Sequence, residues 1–302
     1  MYSTSGTLKI EPPFNLKHSA MFLKAFRPMK DEQETIDGAI TKAIMINGQI
    51  TLFTVKQESP RNTDPISYEL SSKDPITKTY CDSAANQISF FLSLTEDIKP
   101  FYEIAKKEDP KFYPIIEQFC GFHHVKFPTT LETATWAILV QRNPLSAAKK
   151  MKQRLIEKWG ESIQNGNGHK FWAFPDYSRL KNVSEKELYP IIRNIRRTQY
   201  LASLSKDYEK IDEKSLLELD FDQAKKILMQ IDGIGEWSAT FILSRGLGRM
   251  ERLPENLKMI SPEIQRLYGS EISLEKICDI YGKWIGYWLL YVWASHLASK
   301  IT

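Results

Sequence analysis

Cysteine is scarce in this 302-residue sequence, which contains only Cys81, Cys120 and Cys278. Their odd number and wide spacing argue against both a disulfide framework and a cysteine metal site. A reducing, cytoplasmic location is therefore expected. The five histidines have no metal-ligand spacing either. No bound metal and no other cofactor is predicted.

Long apolar segments are also missing. No stretch approaches the roughly 20 uncharged apolar residues that a membrane span needs, so no membrane association is expected. The first nine residues lack the basic and apolar parts of a signal peptide. The sequence contains no P-loop, dinucleotide fingerprint or serine nucleophile elbow. The net charge of +4 suits a phosphate-bearing partner, although many other enzymes are equally basic.

The first hundred residues have the pattern of a mixed α/β region. The β-rich runs 39–46 and 49–55 flank Asn47-Gly48, which predicts a tight β-hairpin. Residues 66–70 predict a further strand, and residues 19–26 predict a short helix. A small N-terminal sheet with helices follows from this pattern.

From Tyr80 onward, apolar residues recur at helical spacing and predict an almost wholly helical chain. Residues 166–169 and Pro175 mark a loop within it. Helices are predicted at residues 131–140, 146–159, 185–192, 195–208, 221–231, 236–247, 262–268 and 280–298.

The sharpest local feature is Ile231-Asp232-Gly233-Ile234-Gly235, which lies between two helical patterns. Two glycines around one apolar residue predict a tight hairpin, because glycine reaches left-handed backbone conformations at little cost. The free amides at the start of the following helix would favour an anion such as a DNA phosphate. A helix–helix turn without any ligand is the alternative.

Residues 231–246 resemble the hairpin and following helix of the helix-hairpin-helix DNA glycosylase superfamily, and the alkylated-base (3-methyladenine) branch most of all. Other segments resemble the same branch in the same order: residues 12–14, 22–23, 127–141, 147–149, 155–160 and 284–293. The resemblance covers nearly the whole chain.

This resemblance implies an α+β fold. A small N-terminal antiparallel sheet domain, similar to half of a TATA-binding fold, would precede a two-lobed, all-helical helix-hairpin-helix core. The implied domains are residues 1–105, the helical core 130–249, and a second helical lobe made of 106–129 and 250–302. An iron–sulfur cluster is not expected, because Cys278 is alone near the end of the chain.

The resemblance also implies the activity. Members of this branch flip a damaged base out of duplex DNA and hydrolyse the N-glycosidic bond of alkylated purines. Trp237 stands where the bifunctional and oxidised-guanine branches carry a Schiff-base lysine, so a monofunctional enzyme is expected. The implied partner is double-stranded DNA containing damaged bases, and the implied state is a monomer.

Four aromatic residues match positions that line the base pocket in the alkylated-base branch: Phe22, Trp237, Phe241 and Trp284. Alkylation at a ring nitrogen leaves a cationic base, and each aromatic face attracts a cation by about 0.5–2 kcal/mol. The alternative is that Trp237 and Phe241, four residues apart, only form a core stripe on their helix.

The catalytic position departs from the family pattern. Members carry an aspartate shortly after a proline, and the match places Asn256 there, with Glu255 beside it. An amide carries no negative charge at neutral pH. Three interpretations stay open: Glu255 acts after a local shift, the alignment is off by one, or the chain binds damaged DNA with impaired catalysis.

The residue after Gln141 is expected to fill the gap that a flipped base leaves, and here that residue is Arg142. Gly233, Ile234 and Gly235 of the hairpin would contact the DNA backbone. Further candidates for phosphate contacts, each with the alternative of a solvated charge, are Lys149, Lys150, Lys152, Arg154, Arg193, Arg196 and Arg197.

Overall fold

The computed structural model describes residues 1–58, 63–254, 257–258, 260–269 and 273–299. Glu255 and Asn256, the two predicted catalytic residues, lie outside the described residues. Within the described ranges, no helix is long and apolar enough to cross a membrane.

The N-terminal region is built on a five-stranded antiparallel sheet with the strand order β1-β5-β4-β3-β2. Its strands are β1 (Tyr2–Leu8), β2 (Gln33–Ile36), β3 (Ala39–Ile46), β4 (Gln49–Lys56) and β5 (Ile66–Ser72). The β3–β4 turn confirms the predicted hairpin. Asn47 and Gly48 both have positive φ, 49° and 81°, which the common two-residue hairpin turn requires.

Two helices pack on this region. Helix α1 (Leu16–Ala25) begins at Asn15, whose side chain accepts a hydrogen bond from the Lys17 amide. Helix α2 (Lys78–Leu92) begins at Thr77, which caps the Tyr80 amide in the same way. The buried faces of both helices join the sheet in one hydrophobic core that continues into the helical part of the chain.

The remainder is mainly helical, which confirms the predicted α+β class. The helices are α3 (Lys99–Glu108), α4 (Tyr113–Gln118), α5 (Thr130–Val140), α6 (Leu145–Trp159), α7 (Tyr177–Leu180), α8 (Glu185–Ile192), α9 (Ile195–Asp207), α10 (Glu213–Glu218), α11 (Phe221–Leu228), α12 (Glu236–Phe241), α13 (Ser261–Tyr268), α14 (Leu274–Tyr281) and α15 (Ile285–Ala298).

Two helix predictions were wrong in detail. The helix predicted at 236–247 is α-helical only in α12 and continues as a π-helical turn, Ile242–Gly246. The helix predicted at 280–298 is two helices, because Gly282 has a φ of +48° and separates α14 from α15. Glycine tolerates that positive φ at little cost, so the chain changes direction there.

The loop predicted at 166–169 is the tip of a β-hairpin. Its strands are β6 (Glu161–Gln164) and β7 (Lys170–Ala173). Ile163, Phe171 and Ala173 pack beneath the N-terminal sheet in a second, smaller apolar cluster with Met45 and Leu52. The helical part of the chain therefore carries a short sheet that the sequence pattern did not predict.

A buried ionic cluster joins the N-terminal region to the helical core. Nζ of Lys152 lies 2.6 Å from Glu32 and 2.7 Å from Glu132. Burial alone would lower the pKa of Lys152, but the two carboxylates together raise it. Lys152 is almost completely buried, so the predicted phosphate contact at this position was wrong. Its charge is paired with two carboxylates at the junction instead.

The predicted domain boundary at position 105 falls inside α3. This helix packs against α4 and α14, which lie in the predicted second lobe. The packing favours a boundary before Lys99, and the division into domains stays a prediction.

Candidate nucleic-acid and base-binding site

The hairpin between α11 and α12 has a backbone that only glycine adopts easily at one position. Gly233 has a φ of +86°, and a Cβ atom there would lie 2.3 Å from Cγ of Tyr200. Ile234 is 4% exposed and is packed in the core below the turn. The positive φ of Gly233 and the buried side chain of Ile234 therefore fix the shape of the turn.

Gly235 has a different role from the one that its sequence context suggested. Its φ of −92° is open to any residue, and nothing lies within 4 Å of a Cβ added there. The expectation that Gly235 relieves backbone strain is wrong. Gly235 precedes α12, whose first amides have no intrahelical acceptor. Its missing side chain leaves those amides open to solvent.

Gln141 holds the hairpin from the end of α5. Its Nε2 donates to the Gly233 carbonyl at 2.7 Å and to Oγ of Ser238 at 3.1 Å. Nη2 of Arg197 donates to the Gln141 carbonyl at 2.8 Å. The predicted site residues Gln141 and Gly233 are therefore in direct contact.

Arg142, the predicted gap-filling residue, is exposed beside the hairpin. Its φ of +51° is uncommon for a residue with a side chain and places strain at this position. It lines an open groove of about 790 Å³. The other residues that line the groove are Gln141, Asn143, Asn194, Arg196, Arg197, Tyr200, Met229 and residues 231–238.

A second cavity, of about 260 Å³, lies on the other side of Trp237. The Trp237 ring stacks on Phe241, with ring centroids 5.2 Å apart and planes 21° apart. Trp237 is 40% exposed, so it is not only a core residue. The other residues that line the cavity are Phe26, Thr240, Ser244, Arg245, Met250, Arg252, Leu253, Pro254, Gly286 and Leu289.

Two predicted pocket residues do not line this cavity. Phe22 is buried one layer behind it and stacks on Phe26 at 4.8 Å. Trp284 packs on Phe101 and Tyr287 instead. Phe26 takes the place that the sequence reasoning assigned to them, and its position as an aromatic residue just beyond α1 was the signal available.

Leu253 and Pro254 bring the chain to the cavity wall immediately before Glu255. Pro254 is the proline that precedes the expected catalytic position. The predicted role of Glu255 and Asn256 stays a prediction.

Arg245 was not predicted as a site residue. Its guanidinium lies 5.5 Å from the centre of the Phe22 ring and 5.4 Å from that of Phe26. Burial lowers the pKa of Arg245 to about 10. Its Nη1 is shielded from solvent and has no hydrogen-bond partner among the described residues. Arg245 lies in the π-helical turn, a deviation often found at functional sites.

The sequence and the structure of the chain both resemble those of known DNA glycosylases. The chain is 28% identical over 267 residues to a DNA-3-methyladenine glycosylase of Bacillus subtilis, covering 86% of this chain and 87% of that protein. No protein-family model matches the chain. A 3-methyladenine DNA glycosylase structure from Archaeoglobus fulgidus superposes with a TM-score of 0.69 at 21% identity, covering 97% of each chain.

The chain has the fold of a helix-hairpin-helix DNA glycosylase. The predicted resemblance to this superfamily and to its alkylated-base branch is confirmed. The fold is shared across branches, because an 8-oxoguanine glycosylase/lyase of Clostridium acetobutylicum bound to double-stranded DNA has a TM-score of 0.66 at 15% identity. The superposition covers 98% of each of the two chains. Substrate preference must therefore come from the cavity rather than from the fold.

Proposed function

We propose that the protein removes alkylated purines from double-stranded DNA by hydrolysing the N-glycosidic bond after base flipping. Its sequence likeness to the Bacillus subtilis DNA-3-methyladenine glycosylase supports this reaction class. DNA as the partner is supported by the related structure that holds a duplex.

The observation that best supports this function is the position of Trp237 between the groove at the hairpin and the aromatic cavity. The residue lines both the open groove at the hairpin and the aromatic cavity. DNA lying in the groove would be held through phosphate groups by the open amides near Gly235 and by Arg196. A base leaving the duplex would pass Trp237 and stack against it in the cavity.

Arg142 supports the flipping step. It is exposed at the same groove with a strained backbone, which the bond network of Gln141 holds in place. Its long side chain would enter the space that the flipped base leaves and donate hydrogen bonds to the orphaned partner base.

Hydrolysis without a lyase step fits the cavity. None of the described residues that line it is a lysine, and Trp237 cannot form a Schiff base. Positive charge that develops on the sugar would be stabilised by a carboxylate, for which Glu255 is the nearest candidate in sequence. We also propose that one chain suffices, since groove and cavity are built within it. The cytoplasmic location stays a prediction.

The test is a glycosylase assay on duplex DNA containing 7-methylguanine or hypoxanthine, followed by alkali cleavage of the abasic product. Strand breaks that appear only after alkali treatment are expected. Breaks without alkali would indicate a lyase. Damage-specific binding with no breaks on any lesion would replace the enzyme with the alternative function, a damaged-DNA-binding protein in which Asn256 impairs catalysis.

A further inference from the structure

The turn that follows α5 holds an arginine at a position that favours glycine. The Asn143 amide donates to the Val140 carbonyl at 3.1 Å and closes the turn. Gln141 has φ and ψ of −54° and 119°, and Arg142 has a φ of +51°. These values fit a type II β-turn, whose third residue needs a positive φ and is usually glycine or asparagine. A strained residue persists only where its surroundings hold it, and such strain is concentrated at functional sites.

The side chain of Gln141 ties this turn to the hairpin. Its Nε2 has two hydrogens, and it donates to the Gly233 carbonyl at 2.7 Å and to Oγ of Ser238 at 3.1 Å. Ser238 is buried and follows Trp237 on α12. One amide group therefore joins the backbone that carries Arg142 to the hairpin and to the helix that begins with it. Both donors of that amide are used within the protein.

Arg197 holds the turn from α9. Its Nη2 donates at 2.8 Å to the Gln141 carbonyl, which belongs to the peptide that joins Gln141 to Arg142. Type I and type II turns differ mainly in the orientation of this central peptide, and a type I turn would give Arg142 a negative φ. The hydrogen bond from Arg197 therefore favours the strained form of the turn over the relaxed one. The form of the turn in turn sets the direction in which the Arg142 side chain leaves the backbone.

We propose that Gln141 and Arg197 are positioning residues that hold Arg142 over the groove in the direction needed to fill the gap behind a flipped base. Gln141 keeps the turn at a fixed place relative to the hairpin, so hairpin amides that bind the DNA backbone also bring Arg142 to the duplex. Arg197 keeps the central peptide of the turn in the type II orientation. This inference rests on the base flipping that the proposed function includes.

A double-mutant cycle in single-turnover excision provides the test. The duplex contains the lesion that the parent excises fastest. Gln141→Met keeps a side chain of similar length without donors and should lower the rate about 5- to 150-fold, the loss expected of two hydrogen bonds. Arg142→Gly should lower the rate at least as much, although its Tm should stay the same or rise, because glycine suits the turn. Adding Gln141→Met to Arg142→Gly should lower the rate by less than about twofold.

The same cycle is read a second time by the fluorescence of 2-aminopurine placed beside a hypoxanthine, which reports unstacking without cleavage. Gln141→Met should reduce the rise in fluorescence, and it should have no further effect once Arg142 is glycine. The matched control is Gln153→Met. The Gln153 amide donates to Glu157 at 2.9 Å within α6 and does not line the groove, so both readouts should equal those of the parent.

Arg197→Met separates a positioning role from a phosphate contact. Loss of one hydrogen bond to the turn should lower the excision rate about 2- to 12-fold. Affinity for an undamaged duplex and its dependence on salt should not change. A phosphate contact would instead weaken binding to every duplex and reduce the slope of log affinity against log salt by about one. That result with an unchanged excision rate would remove Arg197 from the proposed pair.

Equal losses from Gln141→Met with and without the Arg142 side chain would make Gln141 a structural residue and overturn this inference, because a folding defect lowers the rate in both backgrounds alike. Parent-like rates and fluorescence in Gln141→Met would also overturn it. In both cases the glycosylase function would stand. A parent that excises no lesion would overturn the proposed function, and the fluorescence cycle, which needs no cleavage, would still decide whether Gln141 acts through Arg142.

Discussion

The two hairpin glycines should separate folding from DNA binding. Gly233→Ala places a side chain at a φ of +86°, which costs about 1–2 kcal/mol, and sets its Cβ 2.3 Å from Cγ of Tyr200. At least about 2 kcal/mol of unfolding free energy should be lost. With about 2.1 cal/mol/K per residue over 302 residues, Tm should fall by about 3 °C or more.

Gly235→Ala should leave Tm unchanged within about 1 °C, because its backbone is extended and the space around it is open. The added methyl group would stand in front of the first amides of α12. The loss of one phosphate contact at a helix start, about 0.3–2 kcal/mol, predicts duplex binding weakened by about 2- to 30-fold.

Calorimetry and fluorescence anisotropy on a labelled duplex at low salt measure both quantities for both variants. Each variant is the control for the other, since they differ by two positions in one turn. If Gly235→Ala loses as much Tm as Gly233→Ala, the open space assigned to Gly235 is wrong. If it binds DNA like the parent, the hairpin is not the DNA anchor deduced from the structure.

Four further substitutions test the cavity, the catalytic position and the buried core. Trp237→Ala should weaken binding to a hypoxanthine-containing duplex more than binding to an undamaged one, because stacking acts only on an extruded base; equal losses by anisotropy would make Trp237 a packing residue. Asn256→Asp should raise single-turnover excision at least about tenfold, whereas Glu255→Gln should abolish it. No gain from Asn256→Asp together with inactivation by Glu255→Gln would identify Glu255 as the catalytic carboxylate. Burial holds the pKa of His124 well below 6.5, so the unfolded chain binds a proton more readily and stability should be full above pH 6.5 and fall below it. His124→Phe should flatten that slope in Tm measurements between pH 7 and 4, and a slope equal to that of the parent would contradict the assignment.

The sequence predicted those parts of the fold that depend on interactions between residues close together in the chain. Asn47 and Gly48 both favour the backbone of a two-residue hairpin turn, and the observed bounds of β3 match the prediction. The hairpin at Gly233 could be predicted in the same way, because two glycines around one apolar residue are typical of a tight turn.

Distant contacts decide the features that were missed. Strands β6 and β7 have four residues each and gain stability only where Ile163 and Phe171 meet the N-terminal sheet. Arg245 looked like an ordinary charge at the end of a helix. Its guanidinium is shielded because the rings of Phe22 and Phe26, more than 200 positions earlier in the chain, lie against it. No window of sequence contains both halves of such a contact.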